Sequence, residues 1–198
     1  MNSGIAVFMD FENIRRTGHQ LFARGFDESE VTVSPVLLAE LIASRRQNAV
    51  PVTEISVVRG QPNRFRDPVA ARRFERDVAA WSEDSRVKGD YLPLHYGPQG
   101  ARPKEAGVDL RLGLNLVEAA RRHRHESVVL FTGDTDLKPA IDDAVAAGTR
   151  VEVAFWSRRS YGFENPLAEY AVRQKRLWHH RLTEEDFWRC VPECRSAA

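Results

Sequence analysis

The stretch from Ser127 to Gly148 limits the possible folds more than any other part of the chain. Ser127-Val128-Val129-Leu130-Phe131 is short, apolar and β-branched, the pattern of a strand buried on both faces. Thr132-Gly133-Asp134-Thr135-Asp136 follows, and Leu137 to Ala147 then reads as a helix. Pro139 fits its first turn, where a missing N–H costs nothing, and Gly148 supplies a left-handed stop. Two carboxylates, Asp134 and Asp136, therefore occupy the turn where a parallel strand hands over to a helix. In open α/β sheets ligands bind at that edge. Helix capping by one Asp and solvation of the other would explain a lone turn of this kind equally well.

The pattern recurs at the start of the chain. Ile5-Ala6-Val7-Phe8-Met9 is a second apolar run, and it ends on Asp10. Asn13, three residues later, can cap the next helix or hold Asp10 and a metal-bound water. Residues 14–24 read as a helix, with Ile14, Leu21 and Phe22 on its buried side and Arg15, Arg16, His19 and Arg24 exposed. Ser34-Pro35 starts another helix with a Leu37, Leu38, Leu41 and Ile42 stripe. Val52 to Val58 is a strand, Asp67-Pro68 opens a helix through Trp81, and Asp90 to Tyr96 is a strand that Pro93 confines to an edge. Val108, Leu110, Leu112, Leu114 and Leu116 alternate like a strand, and the run continues through Ala120. Gly113, Asn115 and the need for a crossover between parallel strands favour a helix with Asp109 in its first turn, where complementing the helix dipole is its ordinary use. Arg150 to Trp156 is the last strand.

This βαβα alternation implies an α/β fold, a three-layer sandwich around a mainly parallel five-stranded sheet. The most apolar strands are central, which gives the order 3-2-1-4-5, with the Pro93 strand at one edge and the Val151 strand at the other.

A chain of 198 residues has room for one complete core, or a core plus an extension. Net charge is only +1, so any surface for nucleic acid must be local. The local candidates are Arg59, Arg64 and Arg66 after the second strand, Arg72, Arg73 and Arg76 on the following helix, and Arg158 and Arg159 after the fifth strand, with Tyr161 or Phe163 as a stacking face. Solvation or pairing with the acidic residues would account for these arginines as well. Cys190 and Cys194 near His179 and His180 are a weak zinc signal. With no leader and no long apolar run, the chain reads as a reduced cytoplasmic protein that does not enter a membrane.

Asp10, Asp109 and Asp134, with Asp136 beside the last, converge on one sheet edge in this scheme. Crowded carboxylates raise one another's pKa, and a divalent cation removes that penalty. All-oxygen donors that leave room for water suit Mg²⁺ or Mn²⁺ rather than zinc. Such a site can lower a water's pKa and place it in line with a phosphodiester.

Asp10-Phe11-Glu12-Asn13, then Lys104 with Val108-Asp109, then Thr132-Gly133-Asp134-Thr135-Asp136 before a helix, resembles the NYN family of PIN-like nucleases, in particular its LabA-like (DUF88) group. The likeness spans roughly Ile5 to Phe155. It implies a PIN-like Rossmannoid sheet and metal-dependent endoribonuclease activity on single-stranded or structured RNA, with Mg²⁺ or Mn²⁺ as cofactor. By resemblance, Asp10, Asp109 and Asp134 match the acidic metal cluster, Asn13 and Asp136 support it, and Lys104 matches a basic position that contacts substrate. Residues 1–160 would form the domain and 161–198 a C-terminal extension; a homodimer stays open. Asn115 is a departure, since relatives often carry a further Asp there. Two other classes remain: a non-catalytic RNA- or protein-binding module of the same fold, and a phosphatase using Asp10 with Glu12 two residues on.

Overall fold

The computed structural model describes residues 4–28, 30–48, 50–98, 101–158, 167, 169–170 and 177–192. Arg159, Tyr161, Phe163 and Cys194 lie outside them. In chain order the elements are β1 (Ile5–Asp10), α1 (Phe11–Phe22), α2 (Pro35–Ser44), β2 (Val52–Gln61), α3 (Pro68–Ser82), β3 (Val87–Pro93), α4 (Val108–Arg122), β4 (Ser127–Phe131), a 3₁₀ turn (Thr135–Leu137), α5 (Lys138–Ala146), β5 (Arg150–Trp156), β6 (Trp178–Leu182) and α6 (Glu184–Arg189). All neighbouring strands are parallel, in the order β3-β2-β1-β4-β5-β6.

The two-residue period of β1 divides the core. Ile5, Val7 and Met9 pack against α1, α2 and α6, while Ala6 and Phe8 pack against α4 and α5. Every residue of β1 and of β4 is buried, as both-face coverage of central strands requires. On the α4 side, Val108, Leu112 and Leu116 meet Leu137, Ile141 and Ala144. The spacing Val108-Leu112-Leu116 is helical, which resolves the alternation of that stretch in favour of helix. The caps are local: Ser34 Oγ accepts from Leu37 N at 3.3 Å, and Asp67 Oδ1 accepts from Ala70 N at 2.9 Å. Gly148 adopts φ +84°, the left-handed stop.

The core order 3-2-1-4-5 holds, and β3 with its terminal Pro93 forms one edge. The other edge needs correction. The Val151 strand is not there, because β6 pairs along it from Glu152↔Trp178 to Trp156↔Leu182. Trp178-His179-His180-Arg181-Leu182 lacks an apolar run. It pairs because buried His180 places Nε2 2.8 Å from Oε2 of buried Glu152, whose Oε1 accepts from Arg46 Nη2 at 2.9 Å. A buried polar side chain satisfied by a neighbouring strand is compatible with a sheet interior. α6 closes the same face through Phe187, whose ring packs on those of Phe22, Trp156 and Trp188 at centroid distances of 5.6, 5.4 and 5.1 Å.

Candidate active site

Two turns meet at the carboxyl edge of the sheet. β1 and β4 pair directly, Met9 opposite Phe131, so the residues that follow each strand are neighbours. Asp10 is 5% exposed, and its Oδ1 caps α1 by accepting from Asn13 N at 3.1 Å. Asn13 is thus not the cap. Its side chain crosses to the other turn, where Oδ1 accepts from Gly133 N at 2.9 Å. Thr132, fully buried, lies between: its Oγ1 accepts from Asp134 N at 3.1 Å and is 3.5 Å from Asp10 Oδ2, a long contact. Asp134 Oδ1 in turn accepts from Asp136 N at 2.9 Å, which starts the 3₁₀ turn. Asp134 is therefore the cap, and the Asp136 side chain stays exposed. Sequence reasoning passed over Thr132, although a hydroxyl between a buried strand and an acidic turn is a readable signal.

Electrostatics join these turns to α4. Burial pushes the Asp10 carboxyl up to about 7; the Asn13 N–H opposes this, while Glu105, Asp109 and Asp134 reinforce it. Asp109 is also raised, by burial and then by Asp134 and Asp136. The three aspartates therefore act on one another from three separate elements. Glu105, not foreseen, belongs to this group: burial raises it, and its Oε1 accepts from Gly60 N at 2.6 Å. Its signal in the sequence was only its place between Lys104 and Asp109.

Hard carboxylate oxygens in mutual repulsion are the donor chemistry of Mg²⁺ or Mn²⁺. Among the described residues, however, no group of three or more His, Cys, Asp or Glu side chains is drawn in around one metal position. Mg²⁺ needs no such cage, since it keeps several waters and takes one or two carboxylates together with substrate phosphate. The donor set therefore fits a water-retaining cation in kind and in charge. Of the tail residues read as a weak zinc signal, Cys194 lies outside the described residues, Cys190 is buried, and His180 is engaged by Glu152.

The remaining candidate residues have different surroundings. Arg59 is a structural clamp. Its Nη1 bonds Asp77 Oδ2 at 3.0 Å, and its guanidinium carbon lies 4.9, 5.4 and 5.7 Å from the ring centres of Phe11, Phe74 and Trp81. Arg158 is tied by its Nε to Leu21 O at 2.7 Å. Leu21 lies near the far end of α1, roughly 16 Å along the axis from Asp10 at 1.5 Å per residue. Arg64 and Arg66, by contrast, stand on the exposed turn after β2, and Lys104 forms a main-chain bridge with His95 that leaves its side chain exposed. Asn115 does not belong to the acidic group. Six residues beyond Asp109 it lies on another face of α4, where its Nδ2 donates to Asp90 Oδ2 at 2.6 Å. The charge missing at position 115 is therefore missing beside Asp90.

Glu12 bears on the phosphatase alternative. Burial would raise it, but the hydrogen bond and charge of Arg15, with Arg16 and Arg59, hold it at about 2. Its Oε1 accepts from Arg15 Nη2 at 2.6 Å and from Arg16 Nε at 2.9 Å. A carboxylate so fixed has no proton to give a leaving group at neutral pH.

A parallel sheet whose central strands are each followed by an acidic turn, the two turns joined by an amide side chain and accompanied by a third acidic residue at a helix start, defines an α/β protein with an acidic site at the carboxyl edge of its sheet. Residues 4–172 match the NYN domain, so the chain belongs to the NYN family of PIN-like nuclease domains. No curated protein and no solved structure gave a significant match. Among the described residues, no helix is long and apolar enough to cross a membrane.

Proposed function

We propose that the protein is a metal-dependent endoribonuclease that hydrolyses RNA phosphodiester bonds at the Asp10–Asp109–Asp134 edge. The observation that carries this is the burial of Asp10 at the end of β1, beside the turn that Asn13 ties to Asp134 and within reach of Asp109, where burial first and the neighbouring carboxylates second raise it to about 7. An arrangement so unfavourable without a counter-charge is a sign of function rather than of stability. Asp10, Asp109 and Asp134 would hold Mg²⁺ or Mn²⁺. When bound, such an ion supplies charge neutralisation at the scissile phosphate and a more acidic water.

The chain's own residues supply the rest. Asn13 and Thr132 orient the two acidic turns by the hydrogen bonds described, and Asp136 and Glu105 add negative charge around them. Arg64, Arg66 and Lys104 are the substrate contacts, because they are exposed at the same rim and carry charge for phosphate. The partner is RNA, single-stranded or structured.

The test is cleavage of a labelled single-stranded RNA with Mn²⁺, against a chelator control. Asp134→Asn should lower the rate by ~10²-fold or more. Unchanged decay in that variant would refute the reading. A non-catalytic RNA-binding module of the same fold is favoured by one observation, the lack of three tightly grouped ligands among the described residues. It is distinguished by RNA binding without Mn²⁺-dependent decay.

A further inference from the structure

The turn between β2 and α3 displays an aromatic ring that the fold does not use. Phe65 is 89% exposed. The turn beneath it is well fixed. Asn63 Oδ1 accepts from Phe65 N at 2.9 Å and Arg66 N at 3.2 Å, and Asn63 O accepts from Asp67 N at 2.8 Å. Asn63 N in turn donates to the Tyr96 hydroxyl at 2.9 Å. Phe65 is therefore held out on a pre-organised turn, so ordering it on binding costs little entropy.

Its surroundings indicate what covers it. Arg64 and Arg66 flank the ring, both exposed; Arg64 has only a 3.6 Å pairing with exposed Glu75, and Arg66 lies 5.7 Å from the Tyr96 ring centre. Isolated exposed apolar residues are ordinary, but an aromatic ring between two cations complements a base between two phosphates. Position agrees. Asp10 pairs with Val58, and β2 runs three residues further to Gln61, roughly 10 Å beyond at the rise of a strand. A cleft of about 290 Å³ then links this rim, at Pro62 and Asp67, to Glu12 and Glu105. Glu105 is one of the charges felt by Asp10.

We propose that Phe65 is a stacking platform for an unpaired base of the RNA strand, with Arg64 and Arg66 on the flanking phosphates. The substrate is then single-stranded where it crosses the β2–α3 turn. This rests on the RNA reading above and extends it. Every base has a π-face, so the contact selects for strandedness and not for sequence.

The test uses the full chain carrying Asp134→Asn, in chelator, with a labelled single-stranded oligoribonucleotide and the same strand annealed to its complement. Phe65→Ala should weaken single-strand affinity by about 5- to 100-fold, the range of one base–aromatic stack. Phe65→Trp should restore affinity, Phe65→Leu should not, and duplex affinity should stay unchanged. With so exposed a side chain the melting temperatures should match, which removes misfolding as an explanation. Equal single-strand affinity in the Ala variant, full rescue by Leu, or an altered sedimentation coefficient in place of altered RNA affinity would overturn the proposal, the last by assigning Phe65 to a protein contact. A parent that binds no RNA overturns it as well. Parallel Mn²⁺ cleavage by the unaltered chain separates the two ideas. Cleavage with an indifferent Phe65 sinks only the stacking, whereas single-strand binding that depends on Phe65 without cleavage sinks only the nuclease reading.

Discussion

Asn13 Oδ1 accepts from Gly133 N at 2.9 Å, and this one hydrogen bond joins the turn after β1 to the turn after β4. Asn13 N is bound to Asp10 and Gly133 adjoins Asp134. The side chain of Asn13 thereby sets the spacing of two acidic residues 124 positions apart in sequence.

Removal of that link has two measurable effects. Asn13→Ala leaves the Gly133 N–H without its acceptor, which should cost about 1–2 kcal/mol in urea unfolding. Loosened carboxylates should also lower RNA cleavage by roughly 10- to 100-fold, as loss of a ligand-orienting contact does. Cleavage at the parental rate despite lower stability would show that the spacing does not matter to the reaction.

Asp10 makes stability depend on pH. Its folded value, about 7, lies above the ordinary 3.8, so between these values the folded protein keeps a proton that the unfolded chain releases. Stability therefore falls as pH rises from about 4 to about 7, with a full penalty above 7 on the order of a few kcal/mol. Asp10→Asn should be the more stable protein near about pH 8, with the advantage gone in acid. Mn²⁺ should raise the melting temperature of the parent there, EDTA should reverse the rise, and the variant should respond to neither. An equal Mn²⁺ response in both would remove Asp10 from the cation site.

Glu12 has the opposite sign. Held at about 2 against an ordinary 4.5, it stabilises the fold fully above about 4.5 and loses that contribution as pH falls through about 2. Glu12→Gln should cost about 1–3 kcal/mol at neutral pH, because the acceptor shared by Arg15 and Arg16 loses its negative charge. The difference between the two proteins should shrink in acid. A generic aryl phosphate should not be turned over by either, since Glu12 never carries the proton that a phosphatase would need.

Gly18 tests how α6 is docked. A Cβ there would lie 2.5 Å from Phe187 Cε2 and 3.1 Å from Trp156 Nε1. Alanine is the better helix former by about 1 kcal/mol, yet Phe187 is wedged among three aromatic rings and cannot yield. Gly18→Ala should therefore destabilise the protein, by about 1–3 kcal/mol as overpacking does. The loss should appear as a lower urea midpoint with a changed near-ultraviolet circular dichroism signal from Trp156. A stabilised variant would mean that α6 can shift.

The sequence by itself determined the parts of this protein that depend on neighbours in the chain. Apolar runs followed by Asp10 and, after Thr132-Gly133, by Asp134 placed two central strands and their acidic turns, because burial on both faces favours apolar residues. Ser34, Asp67, Pro139 and Gly148 marked helix ends through local hydrogen bonding and backbone geometry. Tertiary structure alone decided the contacts made across the fold. It turned Asn13 from a cap into a bridge to Gly133, sent Asn115 to Asp90, and committed Arg59 to Asp77 and three rings. It also made a strand of Trp178–Leu182, where buried His180 meets Glu152 of β5, itself bonded by Arg46 from the turn after α2. A polar side chain's partner depends on which surfaces the packed sheet and helices bring together, and neither composition nor periodicity records that.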